Sequence, residues 1–325
     1  MNSPPTCDFH ETAITTTRSR RAQREERLGW LLTIPGALIV LALILFPILW
    51  NIVLSLQQIR LIDLQSLNFL NFDINFDNFA RVTGVSAFWP AIINTIVYAV
   101  FGTVLSVGVG LWAALVVRRP FRGRAAVRGF MLFPYVVPVV AATLVWQIML
   151  NPTFGIINEW LTAGGGEPIR FLSSKSFTAT ILGVSFDLPL ALSVVILFEA
   201  WRYFPFAFLF ILARLQAIPK DLEEAAVMDG ATISQRFRHI ILPELRGVFS
   251  VLILLRFIWT FNKFDDVFLL TGGEAGTEVI TIQIINWLNG RGEIGSAAAL
   301  GLILAGILSV MIFIYMKFFY QEDTE

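Results

Sequence analysis

The chain has 325 residues, 56% of them hydrophobic and only 15% charged, with 29 Phe and 9 Trp. Its mean hydropathy is +0.71, whereas an average soluble domain is about a quarter charged, and 24 basic residues balance 24 acidic ones. These values argue against a soluble enzyme, a disordered chain and a nucleic-acid-binding protein, and describe a polytopic α-helical membrane protein. The single cysteine, Cys7, excludes an internal disulfide and a Cys-rich metal site. His10 and His239 are too far apart to form a local metal motif.

A helix that crosses the bilayer needs ~20 predominantly apolar residues. In chain order, Trp30–Leu56, Ala91–Val117 and Gly129–Leu150 carry no charge. Leu188–Ala213 is apolar apart from Glu199 and Arg202, and its lower boundary is blurred by an apolar run that starts near Phe177 and is broken at Asp187. Gly247–Leu270 contains Arg256, Lys263, Asp265 and Asp266, so only its first two-thirds is a clean span. Gly295–Tyr315 is again uncharged. The expectation is six transmembrane helices.

Basic residues concentrate in alternate segments. Arg18, Arg20, Arg21, Arg24 and Arg27 precede the first span, Arg118, Arg119, Arg122, Arg124 and Arg128 follow the second, and Arg214, Lys220, Arg236, Arg238 and Arg246 follow the fourth. The other loops are poorer in Lys and Arg. Basic loops face the cytoplasm, which places both termini there. The first apolar run is nearly twice the ~7–15 residues of a signal-peptide core, so it reads as a retained span. The chain divides into a cytoplasmic basic tail (1–28), a transmembrane domain (29–321) and a short C-terminal tail (322–325).

Two outer segments are longer than simple connectors. Ile59–Pro90 carries Phe69, Phe72, Phe76 and Phe79 in a polar context, as if packed at the outer membrane surface, and Asn151–Ser176 holds the flexible run Gly164–Gly166. In the last span Ala297, Gly301 and Ala305 form a small-residue stripe that allows close helix packing, here read as packing on another span of the same chain.

The cytoplasmic loop 214–246 is polar yet patterned for helix. Pro219, Lys220 and Asp221 start a helix, with acidic residues in its first turn. Gly230 makes a sharp turn, and a second helix begins at Thr232 or Ser234 with Ile233, Phe237, Ile240 and Ile241 as its apolar stripe, interrupted at Pro243. A connector within a bundle needs only ~2–8 residues, so this elbow has a purpose of its own.

Glu224-Ala225-Ala226, Asp229-Gly230-Ala231, Ile240, Leu242 and Pro243 resemble the EAA motif of permease subunits of ATP-binding-cassette importers. The resemblance extends to Asn94-Thr95, to Gly110–Pro138, to NPTFGIIN at Asn151–Asn158, to LARLQAIP at Leu212–Pro219 and to FDDVFLLTGG at Phe264–Gly273. It covers roughly residues 30 to 320 and is similar to the first of two permeases in the maltose-type carbohydrate group, with GGEAGTE standing where GGGP is more usual. It implies the type I importer permease fold and a place in the bacterial cytoplasmic membrane. It also implies three kinds of partner: a second permease, ATP-binding subunits and an extracytoplasmic solute-binding protein.

In that family the elbow is a coupling helix seated on an ATPase. The resemblance assigns ATPase coupling to Glu224, Ala225, Ala226, Asp229, Gly230, Ala231, Phe237, Leu242 and Pro243. Glu224 can accept charge-assisted hydrogen bonds from a partner, the alanines admit close approach, Gly230 permits the turn, and Phe237, Ile240 and Leu242 can anchor the second helix. The chain contains no GxxxxGK[ST] phosphate loop. No cofactor is therefore expected on it, and ATP and Mg are expected on the partner ATPase.

Charges inside a membrane face a bundle interior or cavity. The family's sugar cavity lies between the spans that flank the elbow, so Glu199, Arg202, Tyr203, Phe206, Arg256, Trp259, Thr260 and Asn262 are candidates to line a substrate pathway. The alternative for Glu199, Arg202 and Arg256 is a structural ion network, with Glu199 and Arg202 paired at three-residue spacing. The solute implied is a di- or oligosaccharide, with glycerol-3-phosphate or a polyol as the variant on the same fold. A secondary transporter would need inverted repeats or ion-coordinating broken helices, and a membrane enzyme would need a clustered acid, base or metal set. Neither is evident.

Overall fold

The computed structural model describes residues 20–65, 74–181 and 184–319. Cys7, His10, Arg18, Phe69, Phe72 and the tail 322–325 lie outside the described residues.

The chain separates into residues Met1–Val53 and Leu54–Glu325. In the first unit α1 (Arg20–Val40) passes through a π-helical turn (Leu41–Leu45) into α2 (Phe46–Ser55). The stretch Arg27–Ser55 is long and apolar enough to cross a bilayer, which agrees with the first apolar run.

After the end of α2, which falls at the boundary, the second unit continues with α3 (Asp77–Thr83) and α4 (Phe88–Val116). Next come α5 (Arg124–Met131), α6 (Phe133–Val136), α7 (Val139–Met149) and α8 (Ile156–Ala163). A two-stranded antiparallel hairpin, β1 (Phe177–Ile181) with β2 (Val184–Leu188), precedes α9 (Leu190–Ala217). The elbow consists of α10 (Lys220–Met228) and α11 (Ile233–Arg236), which leads through a π-helical turn (Phe237–Ile241) into α12 (Leu242–Phe261). The chain closes with α13 (Asp265–Thr271), α14 (Ile280–Ile285) and α15 (Ile294–Phe319).

α4, α9 and α15 each meet the length and apolarity of a span, as does the first-unit helix. The third run is not straight: Arg124–Val136 and Val139–Met149 meet at a 95° bend. Pro138 explains it. Val137 is held extended at ψ 133° ahead of the proline, so the helix cannot continue through it. The fifth run folds as α12 up to Phe261, with Glu244, Arg246 and Arg256 along it, and then breaks before α13.

The all-α expectation needs one correction. The apolar run from Phe177 folds as the hairpin, not as an early turn of α9. Thr178 Oγ1 donates to Asp187 Oδ1 across it at 2.6 Å, so the charge that broke the apolar pattern is a cross-strand partner.

α4 packs along α9 because small residues let the backbones meet. A Cβ on Gly110 would stand 2.8 Å from both the Ala207 Cβ and the Phe208 nitrogen. At the elbow end of these helices Ala114, Val117, Ile211, Leu215, Ile218, Ile241 and Leu245 form a buried cluster. A second cluster joins Phe88, Ala91, Ala99, Phe261, Trp287, Ala297 and Leu300. Ala297 is therefore packed on this chain, whereas Ala305 is exposed. Asn78 Nδ2 donates to the Ser55 and Gln57 carbonyls at 2.9 and 2.8 Å, and Arg60 bridges Glu293 by backbone pairing.

Candidate functional site

The elbow forms where the sequence expects it. α10 starts directly after Pro219 with Asp221 and Glu223 in its first turn. Gly230 has φ +78°, the left-handed region that glycine enters without steric cost. Thr232 caps α11: Gln235 N–H donates to Thr232 Oγ1 at 3.3 Å, and Thr232 N–H donates back to Gln235 Oε1 at 2.7 Å. No residue of α10 is buried. Glu224, Ala225, Asp229, Gly230 and Pro243 are exposed, while Ala226, Ala231, Phe237 and Leu242 are half-buried. Leu222, Val227, Met228 and Ile233 are exposed as well, Met228 by 88%, which gives the elbow an apolar surface of the sort that marks a contact site.

Two expectations about the elbow change. Pro243 does not interrupt the helix, because it falls in the first turn of α12, directly after the π turn, where its missing N–H is tolerated. The extra residue in that turn also rotates the apolar face. Ile241 and Leu245 are the buried anchors, with Phe237 and Ile240 packed against them, and Leu242 is only half-buried.

The membrane-interior candidates divide into two layers. Glu199 on α9 and Arg256 on α12 form a buried ion pair, with side-chain exposures of 0% and 2%. Glu199 Oε1 also accepts from Thr260 Oγ1 at 2.8 Å, and Oε2 accepts from the Tyr98 hydroxyl of α4 at 3.1 Å. Arg256 Nη2 donates to Thr260 Oγ1 at 3.1 Å. One carboxylate therefore ties three helices together. Asp266 on α13 is buried next to them. Its oxygens accept no hydrogen bond among the described residues, and Lys263 Nζ lies 3.6 Å from Oδ2.

Arg202 does not pair with Glu199. Its Nη1 donates at 3.0 Å to the carbonyl of Val137, and its Nε donates to the Tyr203 hydroxyl at 3.2 Å. Val137 is the last residue before the 95° break, where the helix ladder stops. Non-helical backbone at membrane depth must find partners within the protein, and Arg202 supplies one.

The second layer is aromatic and partly open. Tyr203 is edge-on to Tyr135 at 6.0 Å, and Phe206 contacts Tyr135, Phe210 and Trp259 at 6.2, 4.9 and 5.2 Å between centroids. Trp259 is 47% exposed and Asn262 is exposed at the end of α12. The Tyr203 hydroxyl accepts from Lys263 Nζ, which sits 4.1 Å from the Tyr203 ring centroid, with the Arg256 guanidinium 4.3 Å away. Tyr203 is the contact between the two layers.

Of the eight pathway candidates, Glu199, Arg202, Arg256 and Thr260 are buried, and Tyr203, Phe206, Trp259 and Asn262 face partly outward. Tyr98, Tyr135, Lys263 and Asp266 join the site without having been singled out for it. The three-residue spacing of Lys263 and Asp266 at the end of an apolar run was a readable signal. Nothing local marks Tyr98 or Tyr135. Asn94 and Thr95 also acquire a place. Asn94 Nδ2 donates to the Gly276 and Glu278 carbonyls at 3.0 and 2.9 Å, and Thr95 Oγ1 accepts from Ile280 N–H at 3.0 Å. The two residues thus hold the GGEAGTE loop.

Among the described residues no group of His, Cys, Asp and Glu side chains is arranged to hold a metal ion. Residues 106–320 match the family described as binding-protein-dependent transport system inner membrane component. The chain is 30% identical over 301 residues to the trehalose/maltose transport system permease protein of Thermococcus litoralis, covering 92% of this chain and 96% of that one. Its fold matches a bacterial ABC transporter involved in the import of the acidic polysaccharide alginate, with a TM-score of 0.75 at 21% identity, covering 93% of this chain and 99% of that one. The alginate transporter in complex with an alginate pentasaccharide-bound periplasmic protein matches with a TM-score of 0.74 at 20% identity, over 92% of this chain and 96% of that one. The exposed elbow, the helical membrane body and these likenesses agree, and the chain belongs to the inner membrane components of binding-protein-dependent transport systems, as a multi-pass permease subunit of an ATP-binding-cassette importer.

Proposed function

We propose that this chain is one of two permeases in an ATP-driven importer of di- or oligosaccharides, and that it spans the bacterial cytoplasmic membrane six times with both termini inside. It forms half of the translocation pathway, and a second permease completes it. An extracytoplasmic solute-binding protein delivers the solute. A separate ATPase binds ATP and Mg and seats the elbow through Glu224, Ala225, Ala226, Asp229, Gly230 and Ala231. The observation that carries this reading is the unburied helix–glycine–helix elbow, whose Leu222, Val227, Met228 and Ile233 are exposed. Family membership explains why such a surface is present.

The aromatic layer supports a sugar solute. Tyr135, Tyr203, Phe206 and Trp259 offer ring faces, and Asn262 and Lys263 offer hydrogen-bonding groups beside them, a combination suited to the C–H faces and hydroxyls of a saccharide. Relatives named for trehalose, maltose and alginate fit the same class. Glu199, Arg256 and Thr260 act behind this surface as the network that holds α4, α9 and α12 in register.

The decisive experiment is ATP hydrolysis by the complex co-purified on this chain. It is measured in lipid with its solute-binding protein and a panel of mono- and disaccharides, oligosaccharides, polyols and glycerol phosphates. Stimulation by one saccharide class is expected. Stimulation by glycerol-3-phosphate or a polyol instead would overturn the solute class, and a complex with no ATPase partner would overturn the function.

A further inference from the structure

α10 carries no buried residue, so core packing does not set its orientation. A cavity of about 1320 Å³ lies between the elbow and the cytoplasmic end of α4, with Leu115, Val116 and Arg119 on one side and Val227, Met228 and Phe237 on the other. One polar contact crosses it. Arg118, two residues past the end of α4, donates through Nη2 to Glu223 Oε1 in the first turn of α10, and the two side chains are 19% and 24% exposed. Among the described residues this is the side-chain hydrogen bond that joins α10 to another element of the fold. Otherwise α10 is half-buried only at Glu223 and Ala226 and is continuous with α9 and α11 through the chain.

The residue before Arg118 is anchored. Val117 is fully buried against Ile211, Leu215 and Ile218, and its carbonyl accepts a 3.4 Å hydrogen bond from Arg128. The same helix carries Tyr98, which donates to Glu199, about 30 Å further along at 1.5 Å per residue. A rigid helix thus has one end on the elbow and its middle on the buried network.

We propose that Arg118 and Glu223 form a clamp that seats the coupling helix on α4, so that displacement of the elbow moves α4 together with α9 and α12. The clamp transmits motion to the buried Glu199 network by a route that the chain connections alone do not provide. Arg118 and Glu223 are positioning residues. The proposal rests on the reading of the elbow as the ATPase contact.

The test uses the whole complex in lipid with its solute-binding protein, and compares R118E, E223R and the double charge swap R118E/E223R. The readouts are the ratio of solute-stimulated to basal ATP hydrolysis, amide exchange in residues 220–228, and complex yield. Each single reversal is expected to lower the stimulation ratio about fivefold and to speed amide exchange in α10, with recovery to near wild type in the double swap. Wild-type stimulation in both single variants, or a double swap no better than either, overturns the clamp. Loss in E223R with none in R118E also overturns it, since Glu223 would then be meeting the ATPase directly. If the reversals do not assemble, R118Q and E223Q decide by the same ratio and the same exchange measurement. G230V and E224A serve as controls. If they uncouple the complex while the clamp variants do not, only the clamp fails; if they too leave coupling intact, the elbow reading fails.

Discussion

Glu199 and Arg256 stand 57 residues apart in the chain and form an ion pair almost wholly removed from solvent, with Thr260 and Tyr98 donating to the same carboxylate. A buried pair of this kind contributes little net stability over an apolar pair of equal volume, but removing one partner strands a charge at a cost of ~3–5 kcal/mol. R256A and E199A are therefore expected to lower complex yield and thermal stability in detergent, and the paired change E199Q/R256M is expected to be milder than either alanine variant. A thermal scan of the three purified complexes checks this. An R256A complex with wild-type yield and melting, defective only in solute stimulation, would return these residues to the pathway surface.

The aromatic layer should behave in the opposite way. Trp259 and Phe206 touch each other at 5.2 Å, and Trp259 is 47% exposed. W259A and Y135A are expected to leave assembly and basal ATP hydrolysis intact. The solute concentration for half-maximal stimulation should rise roughly fivefold, the effect of losing ~1 kcal/mol of ring contact. Unchanged solute dependence in both variants would show that the saccharide passes elsewhere.

Gly230 is constrained by its backbone and not by crowding. Its φ is +78°, and a Cβ there would meet nothing within 4 Å. The cost of another residue is the left-handed conformation itself, ~1–2 kcal/mol, and it is least for Asn. G230V is thus expected to uncouple ATP hydrolysis from solute while inserting normally, and G230N is expected to retain most of the coupling. Equal coupling in G230V and wild type would remove the elbow from the mechanism.

Glu293, directly before α15, has opposing influences on its carboxyl. Burial works against ionisation, but hydrogen bonds from Arg81 at 2.8 Å and Ser296 at 2.9 Å outweigh it and hold the group below its ordinary value. The folded value is thus lower than the unfolded one, near ~4.3. The stabilisation is fully present above the unfolded value and is lost as pH falls through the folded one. Wild type is expected to exceed E293Q in melting temperature by a constant amount at neutral pH, with the gap closing below about pH 4. A gap that does not change with pH would mean that the ion pair is not its source.

Much of this protein was legible in the amino-acid order alone. Four of the six apolar runs fold as helices long and apolar enough to span, and the third as a bent pair, because a helix in lipid must satisfy its backbone within itself and cover it with apolar side chains. The elbow was legible for a similar reason: Pro219, Gly230 and Thr232 act on their own dihedrals and nearest N–H groups, so their effect does not depend on the rest of the fold. The break at Pro138 is not foreseen, since Gly129–Leu150 reads as one span, and the structure bends it by 95°.

The pairing of charges was settled only in three dimensions. From spacing, Arg202 is the natural partner of Glu199, one turn away on the same helix. The fold instead brings Arg256 from α12 against Glu199 and turns Arg202 toward the bare carbonyl at the Val137 break. Likewise, Leu242, expected as an anchor beside Phe237 and Ile240, is only half-buried, while burial falls on Ile241 of the expected stripe and on Leu245. Local order determines what each helix can offer. Which offers are taken depends on the rotation and register of neighbouring helices, and those follow from close contacts, such as Gly110 against Ala207 and Phe208, that bring together residues nearly a hundred positions apart.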